Sequence, residues 1–150
     1  MTIRTSANLK SAIARAYETF ARYESVSLRP VETRSEDRKK LDGLRDSLIG
    51  RELRSLPAEE LLDYYYLAIR HIGDADDLRH FLPRLLELMI VDENDLLAPQ
   101  VLSSLLIEAD VANWPLPEKE AIVTLLTVAR AEGLLSAKNL NGVLQDLTKY

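Results

Sequence analysis

The chain has 150 residues, 47% of them hydrophobic and 29% charged, with five glycines, six prolines and no cysteine. That length makes about one domain with a sizeable core, and the composition is neither disordered, collagenous nor low-complexity. The lack of cysteine excludes a disulfide framework, a thiolate nucleophile and any cysteine-held zinc or iron–sulfur site.

The formal net charge of −5 is unevenly spread. Residues 1–55 are mildly basic, with 12 Lys/Arg against 8 Asp/Glu, whereas the leucine-rich remainder, 56–150, carries 7 against 16. Between 74 and 120, eleven acids (Asp74, Asp76, Asp77, Glu87, Asp92, Glu93, Asp95, Glu108, Asp110, Glu118, Glu120) meet three bases (Arg79, Arg84, Lys119). Such a segment repels nucleic acid. It is either a solvated face that keeps the chain soluble or a face that steers a basic partner. The opening stretch MTIRTSANLKSAIARAYETF has no long apolar run with a cleavage signal, and no span is long and apolar enough for a membrane helix, so a soluble, cytoplasmic protein is expected.

Periodicity predicts helices throughout and no strands. A first helix starts near Ser6 and carries Leu9, Ile13, Ala16, Phe20 and Tyr23 at steps of four and three. SVSLRPVETR breaks that pattern and reads as a loop over 25–34. Ser35 opens a short charged helix with Leu41, Leu44 and Leu48, extending past Gly50 to about Leu53. Pro57 as first residue and Gly73 as terminal cap bound a third helix. Its main stripe is Ala58, Leu61, Tyr65, Ala68 and Ile72, widened by Leu62, Tyr66 and Ile69. The opposite face holds Glu60, Tyr64, Leu67 and His71, the most interface-like stripe in the chain.

Asp76 or Asp77 caps a fourth helix that is apolar nearly all round from Leu78 to Ile90. Pro83 inside it implies a kink or a break, and Arg84 and Glu87 are spaced to pair. A fifth helix spans 96–110 with Pro99 early in it, Trp114 anchors a proline-rich corner, a sixth runs from Pro117 to Glu132, and a seventh from Ser136 through Leu147. The expected fold is all-α, a single domain of about seven short antiparallel helices. These form either a stacked HEAT-like array or a closed orthogonal bundle, with no repeat signature in the sequence.

Catalytic and cofactor motifs are missing. There is no phosphate-binding GxxxxGK, no GxGxxG, GxSxG, HExxH or SxxK, and no ExxH pair for a di-iron bundle. Loops from Asp74 and Asp92 fail the calcium pattern, with Arg79 and Leu97 where glycine is needed. His71 and His80 match no metal-ligand spacing. Glu87 and Glu108, which interrupt apolar runs, are the remaining acid–base candidates, though each reads more readily as a paired or solvent-facing acid on a mostly buried helix.

The stretch 56–89, and within it DLRHFLPRLLEL at 77–88, resembles a segment of small, largely uncharacterised all-helical bacterial proteins. Some of these are similar to neighbours of secreted toxins, and that resemblance implies an immunity protein and no catalytic residues. The expectation is therefore a non-enzymatic module without cofactor or metal that binds a basic protein through Glu60, Tyr64, His71, Asp74, Asp76, Asp77, Asp92, Glu93 and Asp95. The alternative is a structural protein that self-assembles through its apolar fourth to sixth helices.

Overall fold

Residues 6–23, 27–29, 35–91 and 96–134, with Gly142, Gln145 and Leu147, are described by the structure, a computed structural model. Among them the chain is all-α: α1 (Ala7–Thr19), α2 (Ser35–Leu48), α3 (Ala58–Leu67), α4 (Ala75–Val91), α5 (Pro99–Glu108) and α6 (Leu116–Ala131). Single 3-10 turns at Leu53–Ser55 and Val111–Asn113 lie before α3 and before α6. No described helix is long and apolar enough to cross a membrane.

Local chemistry sets most of these boundaries. The Ser6 hydroxyl accepts a hydrogen bond from the Leu9 amide at 3.0 Å and satisfies one of the free donors at the head of α1. Pro99 occupies the first turn of α5, where its missing N–H costs nothing, so the helix starts there rather than at residue 96. Gly50, at φ +78°, turns the chain out of α2 after Leu48, short of the expected end at Leu53. Of the expected seventh helix only Gly142, Gln145 and Leu147 are described, all three helical; the remainder of 136–147 lies outside the described residues.

The middle of the fold is α4. Leu78, Phe81, Leu82, Leu85, Leu86, Leu88, Met89 and Ile90 are each at most 1% exposed. Pro83 neither ends nor splits the helix, which runs unbroken from Ala75 to Val91. Magnitudes explain this. A proline inside a helix costs about 3 kcal/mol, whereas fully burying one large apolar side chain is worth about 1.5–3 kcal/mol, and α4 buries eight. Around it, α1 lies chiefly along α6 and also on α4, α2 packs on α3, and α3 on α4. The α1–α6 contact joins elements far apart in sequence, whereas a stacked repeat contacts only its neighbours. One buried cluster extends from Leu9 to Leu147.

The largest departure from expectation is at the end of α3. That helix stops at Leu67, and Gly73 does not cap it. Instead residues 68–72 form a tight loop in which the Ile72 amide donates to Leu67 O at 3.2 Å and the Ile69 amide to Ile72 O at 2.9 Å. Ile69 sits at φ +67°, an unusual conformation for a β-branched residue. Gly73, at φ +74°, donates its amide to Arg29 O at 2.8 Å and so ties the loop to residues 27–29. A Cβ on Gly73 would lie 2.8 Å from an Asp77 carboxylate oxygen. Gly73→Ala is therefore expected to destabilise the fold by about 1–3 kcal/mol from the left-handed backbone alone, with the clash adding to it. A shift of the urea midpoint measures it, and an unchanged midpoint would refute the loop geometry.

Candidate functional site

Three aspartates, Asp74, Asp76 and Asp77, stand at the head of α4, and they have different fates. Asp74 precedes the helix and caps it, its Oδ1 accepting from the Asp77 amide at 3.0 Å. Asp77 reciprocates, accepting from the Asp74 amide at 3.1 Å and from the amides of Ser27 and Leu28 at 3.2 and 3.3 Å. It is 2% exposed. Burial pushes its carboxyl above the usual carboxylate range, and the three amide donors hold that rise in check. Asp77 is therefore a structural pin for residues 27–29, and the expectation that it contacts a partner is corrected.

Asp74 and Asp76 remain on the surface, as does His71 in the preceding loop. The Asp76 side chain is 66% exposed and lies 3.2 Å from the Arg79 guanidinium one turn on. Both carboxylates stand at the N-terminal end of α4, the positive end of its dipole. Asp92, Glu93 and Asp95, expected to extend this face, lie outside the described residues. Glu60 is exposed on α3, paired with Arg51 at 2.6 Å. That pair borders a cleft of about 300 Å³ between α2 and α3 whose walls mix Lys40 and Arg51 with Glu59, Glu60 and Asp63.

Tyr64 does not belong to the surface. It is wholly buried, its ring 4.6 Å from that of Phe81 on α4, so the expected Glu60/Tyr64/Leu67/His71 interface stripe does not exist as one face. Tyr65 is buried too, its hydroxyl donating to Ala98 O at 2.5 Å, and Tyr66 is the outward member of the three. The signal was present: Leu61, Tyr64, Tyr65 and Ala68 occupy positions i, i+3, i+4 and i+7 of a core stripe, with Tyr66 off it. The Tyr64 hydroxyl has no hydrogen-bond partner among the described residues, and its burial, with Asp77 and Asp74 nearby, pushes its pKa well above the ordinary value. Tyr64→Phe is consequently expected to leave stability unchanged or raise it by up to about 1 kcal/mol in thermal unfolding. A loss beyond about 1 kcal/mol would mean that the hydroxyl is bonded.

The acid–base candidates are all engaged. Glu87 Oε1 accepts from the Tyr17 hydroxyl and from Arg84, each at 2.6 Å, while Arg84 Nε also holds Leu56 O at 2.8 Å. Burial, and then the neighbouring Glu87 carboxylate, push the Tyr17 hydroxyl up. Glu108 pairs with Arg70 at 2.6 Å near the surface. The third engaged carboxylate, Glu118, was not anticipated as a site. Its side chain is 2% exposed, and one oxygen accepts from Arg22 and, at 2.5 Å, from the Tyr23 hydroxyl. Arg79 closes the group, 3.7 Å from the other Glu118 oxygen, donating to the Tyr23 hydroxyl at 3.0 Å and lying over the rings of Trp114 and Tyr23. Trp114 is the expected corner anchor, 3% exposed with its indole N–H on Ala109 O at 2.8 Å. Glu118 falls in the third position of α6, in the first turn of the helix expected from Pro117, where an acid is ordinary, so its burial against Arg22, Tyr23 and Arg79 is a tertiary feature.

Searches of protein-family models, curated proteins and solved structures found no match. No group of three or more His, Asp or Glu among the described residues is placed to hold a metal ion. The described surface carries exposed carboxylates at the head of α4, a polar cleft between α2 and α3, and a few outward apolar side chains.

Proposed function

We propose that the chain is a non-enzymatic protein-binding module that meets a basic partner protein through the acidic corner at the head of α4. The observation that carries this reading is that Asp74 and Asp76 are exposed at the head of α4, Asp74 as its cap and Asp76 on the solvent side of Arg79, while Glu87 and Glu118 are drawn inward among arginines and tyrosines. The acidic excess over 74–120 adds long-range attraction for a basic surface, which raises association rates more than affinity. An immunity protein that occludes a toxin in the cytoplasm is the specific form of this reading, supported by the resemblance of DLRHFLPRLLEL to toxin-neighbouring proteins. Neither nucleic acid nor membrane fits as the partner of so acidic a corner.

The test separates charge from fold. Asn caps helices as well as Asp does, so Asp74→Asn with Asp76→Asn removes two charges and keeps α4 capped. Against a basic partner isolated from native lysate at low salt, the double variant is expected to associate about tenfold more slowly and with a flatter salt dependence. Identical kinetics and salt dependence would remove the corner from the function. Self-assembly is the second reading. The apolar excess of α4 and α6 is consumed inside the chain, so this reading now rests on outward residues such as Ile107, 65% exposed.

A further inference from the structure

Of the described helices, α2 buries the fewest apolar side chains. Its 14 residues carry only Leu41 and Leu48, which are buried, and Leu44, which is half-buried, whereas α4 buries eight. Its described neighbour is α3, and the contact is loose: the cleft of about 300 Å³ between the two helices is lined by Leu44 and Leu67 and by the exposed Lys40, Ser47, Glu59 and Asp63. The ion pair at its rim, Arg51 with Glu60, has both side chains at least 40% exposed and so holds little. Gly43 weakens the helix from within. It is exposed, and a Cβ there would meet nothing within 4 Å, so no packing requires glycine at a position where it lowers helix stability about fivefold relative to alanine.

The chain on either side of α2 is pinned. Upstream, the Leu28 amide donates to Asp77, and Arg29 O accepts from the Gly73 amide at 2.8 Å, so residues 28 and 29 are held at the entry to α4. Downstream, Leu56 is fully buried and its carbonyl accepts from Arg84 Nε at 2.8 Å. Gly50, at φ +78° with open space where a Cβ would be, lies between α2 and this second pin. From this arrangement we infer that α2 is a strap: slung between pins at Leu28–Arg29 and at Leu56, it leaves α3 as one unit while the other helices stay folded. A lone helix of this length with a central glycine is marginal in water, so the freed segment loses its helix and regains it on docking. Leu41, Leu44 and Leu48 fall at i, i+3 and i+7, so each departure uncovers one apolar stripe and each return hides it. The strap thus shows and withdraws apolar surface without cost to the core around α4. It needs neither Asp74 nor Asp76, so it stands or falls apart from the acidic corner.

Native-state hydrogen exchange of the full chain, in urea below the unfolding transition and with closing faster than exchange, reads this opening directly. Interior amides of α2, residues 39–48, are expected to exchange at least 100-fold faster than those of α4 and with little dependence on urea, because freeing one helix exposes a small part of the surface that unfolding exposes. The Leu28 amide, on the first pin, is expected to exchange with α4 rather than with α2. Gly43→Ala, a surface change that leaves the core intact, is expected to slow residues 39–48 together by about fivefold. Residues 39–48 sharing the rates and urea dependence of α4 would mean that α2 leaves only with the whole fold, and would overturn the proposal. So would an uneven response to Gly43→Ala, the mark of fraying from one end, or a Leu28 amide that opens with α2.

Discussion

Replacing Glu118 by Ala is expected to lower the unfolding free energy by about 3–5 kcal/mol, the usual cost of removing one partner of a buried ion pair. The substitution leaves the Arg79 guanidinium, 17% exposed, between Trp114 and Tyr23 without its buried carboxylate, and takes the acceptor from the Tyr23 hydroxyl. Asp76 cannot replace it, since it meets Arg79 from the solvent side. Glu118→Gln should recover only part of the loss, because the amide presents a donor where Arg22, Tyr23 and Arg79 all need an acceptor. Arg22→Ala, by contrast, should leave stability near that of the parent, since its head group is in water. Urea unfolding of the three variants decides the matter. A Glu118→Ala loss as small as that of Arg22→Ala would mean that the cluster is solvated after all.

Asp77→Ala is expected to cost about 3 kcal/mol, since it strands the amides of Ser27, Leu28 and Asp74, each a buried or half-buried donor. Leu28, fully buried at φ +48°, would lose the group that holds it there. Asp77→Asn keeps one acceptor oxygen and should fall between the two. Burial raises the carboxyl in the folded chain above its unfolded value, so the folded state takes up this proton first as pH falls. The sign follows: the contribution of this titration is fully present below the unfolded pKa and is lost as pH rises through the folded one. Set against Asp77→Asn, the parent should therefore gain relative stability on acidification across that interval and lose it again towards neutrality. A difference that ran the other way would place the native carboxyl below its unfolded value and contradict its burial.

How far the sequence reaches can be seen at α3. The spacing of Ala58, Leu61, Tyr65, Ala68 and Ile72 identifies residues that are all buried, yet the last two lie in a loop rather than on a helix. Periodicity reports which side chains face inward and not the backbone path that takes them there, and a tight loop can bury Ile72 as well as another helical turn would. The same limit explains Pro83, whose local cost is visible in the sequence while the burial that outweighs it is a tertiary quantity. Caps and leucine stripes, being local, placed the other described helices to within about five residues, although Asp74 rather than Asp76 or Asp77 caps α4. The candidate site was legible only in its charges. Asp74, Asp76 and Asp77 look alike in one dimension, and the amides of Ser27 and Leu28, some fifty residues away, single out Asp77 for the interior.

The lengthwise contact of α1 with α6 also bears on how the chain is made. Arg15 and Thr124, which touch across that contact, are 109 residues apart. At a synthesis rate of about 5–20 residues per second, α1 leaves the ribosome roughly 5–20 s before its partner exists. During that interval Leu9, Ile13, Ala16 and Phe20 have no α6 to lie against, so the helix waits with its apolar stripe open to chaperones or to other nascent chains. Of the two helices, α1 is therefore made well before its packing can be completed, which waits for α6.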